Sequence, residues 1–547
     1  MNLQASPNPR ERWTYASLAA FVAVLWLATL SLRPLFNPDE GRYAEIPREM
    51  LSGGDWVIPH LNGIAYLEKP PLQYWATALS LRVFGLNEFA ARLYTALCAL
   101  ATLAVAGLAA RRLWGTAAAL RAAAVLSSML LFVALGQLLT LDMSLTLYMT
   151  CALAGFLLAQ SAGAAERRWM LLAWAATALG VLTKGLIAAA VPAAVLVLYS
   201  LYARDFAPWR RLHAASGLPL FAAIAIPWHW LAARRLPDFL QFFFVHEHLK
   251  RYLTPSADRE EVWWFFGVVF LLGSAPWTLC ALRALAVGWR RGAPRGRFNP
   301  TLFLWIWVVF VCVFFSLSDA KLIPYILPAM PALALLIAGL PERSLERDVP
   351  RTALATVAAA IGLALACMFA PRFLAPSDRS AYFLSLAKPL AQIAALLAVS
   401  GLYVLSQRRK VTRAAVFLGV GWCLSGLLMV RAAAALAPVY SGVTLARALT
   451  VVPRAASLYS VGTYDQTLPF YWRRTFTLVA YRGELDYGLK FDPGAEWPST
   501  AQFIEQWNRE SLAYAVMERD MFDDLKRRGV PLHELARDVR RVLAARR

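Results

Sequence analysis

The segment "NPDEGRYAEIPREM", residues 37–50, places the carboxylates Asp39 and Glu40 just ahead of Arg42 and Tyr43. On a helix Asp39, Arg42 and Tyr43 stand at i, i+3 and i+4 and share one face. Carboxylates of this kind act as bases or orient a nucleophile, and cations beside them bind an anion. The same spacing also belongs to an ordinary surface helix with solvated charges, in which Asp39 caps the start, Tyr43, Ile46 and Met50 form an apolar stripe, and Pro47 kinks or divides the helix. Further along the same loop, "LEKPPLQYW" sets Glu68 and Lys69 before Pro70 and Pro71. Two prolines suit a first helical turn, and a lysine beside a helix N-terminus offers a phosphate site; a proline-stiffened loop fits equally.

Other candidates lie far off in the chain. Asp142, in "LLTLDMSLTLY", is an acid in an apolar context, where an ionisable group is costly and is usually paired or functional. Lys184, in "VLTKGLIAAA", either binds an anion or marks the end of a span. "FFFVHEHLKRYLTP", residues 242–255, offers His246 and His248 as metal ligands, with Glu68 as a third, and Arg251 as a bidentate phosphate ligand. Two histidines two apart are a weak zinc signal, and a divalent metal here would need Glu68 or another ligand to complete its shell. "SDAKLIPYILPAMPALALL", from residue 318, adds Lys321 and Tyr325. There is no Walker loop, dinucleotide fingerprint, serine elbow or H-E-x-x-H, so no organic cofactor is expected. Acids and cations gathered at one membrane surface suit a reaction on a phosphate-linked lipid.

The elements that must position these groups are membrane spans. The 547 residues are 59% hydrophobic and 16% charged, too little polar surface for a soluble protein of this size. Thirteen apolar runs are expected to span, centred near Leu25, Leu100, Val125, Leu153, Trp174, Val195, Ala223, Val269, Val309, Leu335, Ile361, Leu396 and Leu424. The net charge of +21 does not mark a nucleic-acid binder, because the basic residues sit mainly in every second short loop. Those loops are expected in the cytoplasm, which puts the candidate residues and the C-terminus on the opposite face. The six cysteines, Cys98, Cys151, Cys280, Cys312, Cys367 and Cys423, lie in apolar stretches and read as buried free thiols.

The expected fold is a polytopic α-helical membrane protein with amphipathic helices in its first external loop and a small external α/β domain. Residues 1–438 form the transmembrane part, with the loop at 34–86, and residues 439–547 form the external domain. There "SLYSVG", "TFTLVA" and "SLAYAVME" read as strands, and residues 500–508 and 520–528 as helices.

Together "NPDEGRYAEIPREM", "YLEKPPLQYW", "TLDMSLT", "TKG", "HLKRY" and "KLIPYILPAMPALA" resemble the lipid-phosphosugar glycosyltransferases of GT-C type. Within them the sequence resembles the bacterial 4-amino-4-deoxy-L-arabinose transferases of lipid A, the ArnT family, and more distantly the protein O-mannosyltransferases. The resemblance covers roughly the first 340 residues. It implies an undecaprenyl-phosphate-linked sugar donor, a lipid A phosphate acceptor and a site on the periplasmic face of the inner membrane. It makes Asp39 the essential first-loop acid, with Glu40 beside it, and Asp142 the second acid. It sets Arg42, Tyr43, Lys69 and Tyr325 around the donor phosphate, with Glu68 beside them, while the stretch His246 to Arg251 departs from the family pattern; Arg251, Lys184 and Lys321 are further candidate cations for that phosphate from the residues alone. A monomer among membrane lipids, with no nucleic-acid partner, is expected. A transferase using another polyprenyl-phosphate sugar, a lipid or sugar flippase and a non-enzymatic scaffold are the rival readings. A flippase would carry polar groups at mid-bilayer and internal repeats, and a scaffold leaves the buried acids unexplained.

Overall fold

A computed structural model describes residues 9–160, 163–250, 261–290, 298–369, 372, 381, 384–407, 410–448 and 452–546, the side chains of residues 9–12, 164, 247–250 and 493 apart. By compactness the chain divides into two units. One comprises Met1–Thr29, Thr95–Phe369 and Lys388–Val430, and the other Leu30–Tyr94, Ala370–Ala387 and Arg431–Arg547.

The first unit is helical. All thirteen expected centres fall on its helices. Among the described residues seven helices are long and apolar enough to cross a membrane, or nine if each of two bent pairs makes one crossing. The bent pairs are Thr116–Ser128 with Leu130–Gly136, at 68°, and Phe265–Gly273 with Thr278–Gly288, at 115°. Ile187–Ala203, Pro300–Ser316 and Ile323–Ala338 are shorter apolar helices. Leu141–Ala159, the most enclosed of the seven, packs along Glu166–Lys184, which also packs on Ala214–Arg235. Small residues permit this approach: a Cβ added at Gly155 would stand 3.3 Å from the Ala173 Cβ. All six cysteines are free.

The second unit joins the first loop to the C-terminal residues. Helix α1, Asp39–Gly53, has Asp39 and Glu40 in its first turn, where the helix dipole favours acids. It ends at Gly54, whose φ of 75° is the left-handed conformation that glycine adopts freely and whose N–H reaches Met50 O. Strands β1, His60–Leu61, and β2, Ile64–Ala65, form a hairpin over Asn62-Gly63, both at positive φ as such a turn requires. Helix α2, Leu72–Phe84, starts directly after Pro70 and Pro71. It buries Tyr74, Thr77, Ala78 and Leu81 and leaves Leu79, Val83 and Phe84 exposed.

The C-terminal residues form a six-stranded sheet in the order β5-β4-β3-β6-β8-β7. Its strands are β3, Ser457–Val461; β4, Thr477–Val479; β5, Glu496–Trp497; β6, Ala513–Glu518; β7, His533–Arg537; and β8, Arg541–Ala545. Strand β3 runs parallel to β4 and β6, while β8 is antiparallel to both β6 and β7. Side chains alternate between the faces. Tyr459, Val461, Met517 and Val542 meet Phe503 and Trp507 of α3, Thr500–Arg509, and Phe522 of α4, Arg519–Arg527. Leu458, Val516 and Leu543 pack on the other face with Leu468 of the short helix Thr467–Trp472. The expected strands and helices of this region are present. The β7–β8 hairpin adds to them.

Two expectations for the first loop change. Pro47 lies inside α1 without dividing it. Burial of every residue from Glu40 to Met50 holds the helix through the proline's missing donor. Asp39 is the first helical residue and not the cap; that position is Pro38, which makes no side-chain capping bond.

Candidate active site

The predicted residues fall into two sets, one in each unit. In the second unit the first turn of α1 separates its two acids by environment. Glu40 is 1% exposed. Arg92 Nε donates to its Oε1 at 2.7 Å and Arg92 Nη2 to its Oε2 at 2.9 Å. Arg33 pairs with both oxygens, and Phe36 N donates to Oε2 at 2.9 Å. Burial by itself would push this carboxyl up, but Arg33 and Arg92 outweigh it and hold Glu40 well below the usual carboxylate range. Arg92 also donates to Leu30 O, Arg33 O and Pro34 O. Glu40, expected beside Asp39 as a catalytic acid, is thus fully engaged in tying the loop start to the helix Glu88–Trp114.

Asp39 differs. Its side chain is 50% exposed, and Oδ1 accepts from Arg42 Nη1 at 3.0 Å. The Arg42 side chain is 9% exposed, and its Nη2 pairs with Glu484 of the C-terminal residues. Burial would lower the pKa of Arg42, yet Tyr66, Glu484, Tyr43 and Asp39 reverse this and keep the guanidinium charged. Arg42, expected at a donor phosphate, therefore already gives both Nη groups to carboxylates. The Tyr43 ring stacks on Tyr74 with centroids 6.0 Å apart and lies 5.8 Å from the Arg42 Cζ. Burial raises the pKa of Tyr66 and of Tyr74, so both stay protonated.

Glu68 and Lys69 are half-buried. Tyr66 donates to Glu68 Oε2 at 3.1 Å, and Lys69 Nζ to Glu68 O at 2.8 Å. Lys69 precedes the N-terminus of α2, as expected of a phosphate ligand.

The C-terminal residues contact this loop at several points. Asn62 and Phe476 exchange two hydrogen bonds of 2.8 Å. Leu35 N donates to Tyr471 Oη at 2.8 Å. Gln466 N donates to Asn37 Oδ1 at 3.1 Å, and Gln466 Nε2 to Glu484 Oε1 at 2.9 Å. Gly41 admits this contact, since a Cβ there would stand 2.5 Å from the Gln466 carbonyl carbon.

In the first unit Asp142 and Lys184 meet. Asp142 is in the first turn of Leu141–Ala159 and Lys184 in the last turn of Glu166–Lys184, both favourable ends for their charges. Their ion pair measures 2.5 Å, and Lys184 Nζ lies 4.9 Å from the centroid of the Tyr325 ring. Lys321 is buried and forms no ion pair with a described residue. His246, in the π-helical segment Gln241–Lys250, is exposed and stacks on Phe242. Arg251 and the side chain of His248 lie outside the described residues. Among the described residues no three His, Cys, Asp or Glu side chains gather as metal ligands.

Glu484, Gln466, Arg33 and Arg92 escape a reading of the sequence. Arg33 and Arg92 carry a signal, as cations at the edges of apolar runs. Glu484 and Gln466 carry none, since their partners lie more than 400 residues away.

Comparisons with known proteins agree with this architecture. The family model described as "Aminoarabinose transferase C-terminal domain" matches residues 445–546, and that described as "Dolichyl-phosphate-mannose-protein mannosyltransferase" matches residues 12–243. The undecaprenyl phosphate-alpha-4-amino-4-deoxy-L-arabinose arabinosyl transferase 1 of Sodalis glossinidius (strain morsitans) is 38% identical over 335 residues, 59% of this chain and 58% of the relative. The corresponding transferase of Pseudomonas aeruginosa (strain UCBPP-PA14) is 36% identical over 333 residues, 60% of this chain and 59% of the relative. The chain thus aligns with less than two thirds of the length of these curated relatives. The crystal structure of ArnT from Cupriavidus metallidurans bound to undecaprenyl phosphate matches with a TM-score of 0.90 and 34% identity, covering 98% of each chain. The apo oligosaccharyltransferase of Archaeoglobus fulgidus matches at a TM-score of 0.51 with 14% identity over 94% of this chain and 71% of its own, a likeness of fold alone. The chain belongs to the ArnT family, as a multi-span α-helical membrane protein of GT-C type with a C-terminal sheet domain.

Proposed function

We propose that the protein is a glycosyltransferase that moves 4-amino-4-deoxy-L-arabinose from undecaprenyl phosphate to a phosphate of lipid A. The observation that carries this reading is the likeness, over 98% of both chains, to an ArnT crystallised with undecaprenyl phosphate. The site lies on the periplasmic face of the inner membrane, residues 439–547 form a periplasmic domain, and the protein acts as a monomer.

In the reaction an oxygen of the acceptor phosphate attacks the anomeric carbon. The bond from that carbon to the undecaprenyl phosphate oxygen breaks, and its electron pair leaves with the phosphate. One displacement inverts the configuration. A phosphate acceptor is already an anion and needs no general base. Asp39, half-exposed and held by Arg42, orients the acceptor or meets the sugar's ammonium and the positive charge that grows at the anomeric carbon. Negative charge grows on the leaving phosphate. Lys69, Arg251, Lys184, Lys321 and Tyr325 are the residues assigned to it, and a contact of this kind contributes about 2–4 kcal/mol to lowering a barrier. Asp142 fixes Lys184.

Mass analysis of lipid A from cells with and without the gene tests the reading. A gain of one aminoarabinose per modified phosphate is expected in cells carrying the gene. Unchanged lipid A overturns the proposal. A mannose or another sugar added to protein or glycan would replace it with the related polyprenyl-phosphate reading.

A further inference from the structure

The C-terminal residues reach the first turn of α1, and the proposed transfer gives them no task. Besides Gln466, Glu484 makes contact there and pairs with Arg42, the same guanidinium that holds Asp39. We infer that Glu484 is a positioning residue: it fixes Arg42, and Arg42 in turn fixes the carboxylate of Asp39. The inference rests on the proposed transfer and deepens it.

The geometry forms a chain of contacts with one open end. Gln466 N is tied to Asn37 Oδ1 at 3.1 Å, so this part of the C-terminal region is registered to the start of α1. Gln466 Nε2 then fixes Glu484 Oε1 at 2.9 Å. The other oxygen, Glu484 Oε2, accepts from Arg42 Nη2, and Arg42 Nη1 donates to Asp39 Oδ1 at 3.0 Å. Glu484 is 14% and Arg42 9% exposed, whereas Asp39 at the open end is 50% exposed. Only the last carboxylate offers an open oxygen to a ligand, and the members behind it hold its orientation. Gly41 makes the approach possible, since any Cβ there meets the Gln466–Thr467 backbone.

Charge supports the same role. One guanidinium serves two carboxylates, so the three side chains together carry more negative than positive formal charge. A phosphate brought to Arg42 would face both carboxylates. Arg42 is thereby better suited to orienting Asp39 than to holding the donor phosphate, a role left to the lysines.

The test uses the full-length protein, an undecaprenyl-phosphate aminoarabinose donor and lipid A, with E484Q, E484D, R42A and the double variant E484Q/R42A. The expected result is that E484Q lowers kcat about tenfold or more and leaves KM for the donor within about twofold. E484D should retain more activity than E484Q, and E484Q should cost nothing further in the R42A background. Unchanged kcat in E484Q overturns the inference, as does an independent, multiplying loss in the double variant. If E484Q does not fold, Q466A takes its place, with the same pattern expected at about threefold. Binding of undecaprenyl phosphate alone, followed by calorimetry, needs no turnover. Equal affinity in wild type and E484Q is expected, and a loss of more than about fivefold shows Arg42 serving the phosphate and overturns the inference. Absence of transfer by the wild type would refute the proposed function, and the affinity comparison would still decide on Glu484.

Discussion

Asp39 and Arg42, one helical turn apart and joined at 3.0 Å, differ sharply in exposure: the carboxylate is half open and the guanidinium is buried. A buried cation cannot swing away, so it fixes the geometry of its exposed partner. Asp39→Asn keeps the shape and removes the charge. Transfer by that variant is expected to fall on the order of 10²-fold or more, while affinity for undecaprenyl phosphate stays near that of wild type. Single-turnover transfer and lipid binding on the same preparation check this. Normal turnover would remove Asp39 from the mechanism.

Glu40 and Arg92 are both 1% exposed and serve stability. Removing one member of a buried pair leaves an uncompensated charge, at a cost of roughly 3–5 kcal/mol. Arg92→Ala also strips donors from Leu30 O, Arg33 O and Pro34 O. Thermal unfolding in detergent should show R92A well below wild type, with R92K between them.

The pH dependence of stability has a definite sign. Glu40 in the folded protein lies below its ordinary value of 4.5, so its ionised form stabilises the fold. That contribution is complete above 4.5 and is lost progressively as pH falls below it. The melting-temperature gap between wild type and E40Q should therefore be widest near neutrality and narrow below about pH 4.5. A gap that widens in acid would contradict the assignment.

How far the sequence speaks depends on the reach of each contact. Local spacing put Asp39, Arg42 and Tyr43 on one face, and they do share a short patch of α1. Apolar runs located helices: all thirteen expected centres lie on one, and among the described residues seven of these helices are long and apolar enough to cross, or nine if each bent pair makes one crossing. Two residues in the first unit, Asp142 and Lys184, stand out in the sequence as charges in apolar context, but not as partners; their pairing across 42 residues comes from the antiparallel packing of two helices. Pro47 does not divide α1, because burial on all sides outweighs one missing hydrogen bond. Glu40 misled because two arginines 7 and 52 residues away, invisible to any local pattern, consume its oxygens. Glu484 was beyond reach, as nothing in its neighbourhood announces a partner at position 42.

The pair Asp142–Lys184 predicts its own coupling. A double-mutant cycle with D142N and K184Q should give an interaction energy of about 0.5–3 kcal/mol in unfolding free energy. Additive effects would show the two groups acting separately.

Gly41 predicts a steric limit. An alanine there places a Cβ 2.5 Å from the Gln466 carbonyl carbon and 2.6 Å from Thr467 N, both backbone atoms with little freedom to yield. G41A should lose about 1–3 kcal/mol of stability by unfolding measurement. It should also lose transfer, since the same contact registers Glu484. Full stability in G41A would contradict the packing.

The most direct measurement of the central claim is transfer by the purified protein, in defined detergent, from synthetic undecaprenyl-phosphate aminoarabinose to lipid A. The expected product is lipid A one aminoarabinose heavier, with inverted anomeric configuration and stoichiometric release of undecaprenyl phosphate, and with none formed by D39N. Release of donor sugar without modified lipid A, a covalent sugar–protein adduct on Asp39, or equal product from D39N would contradict it.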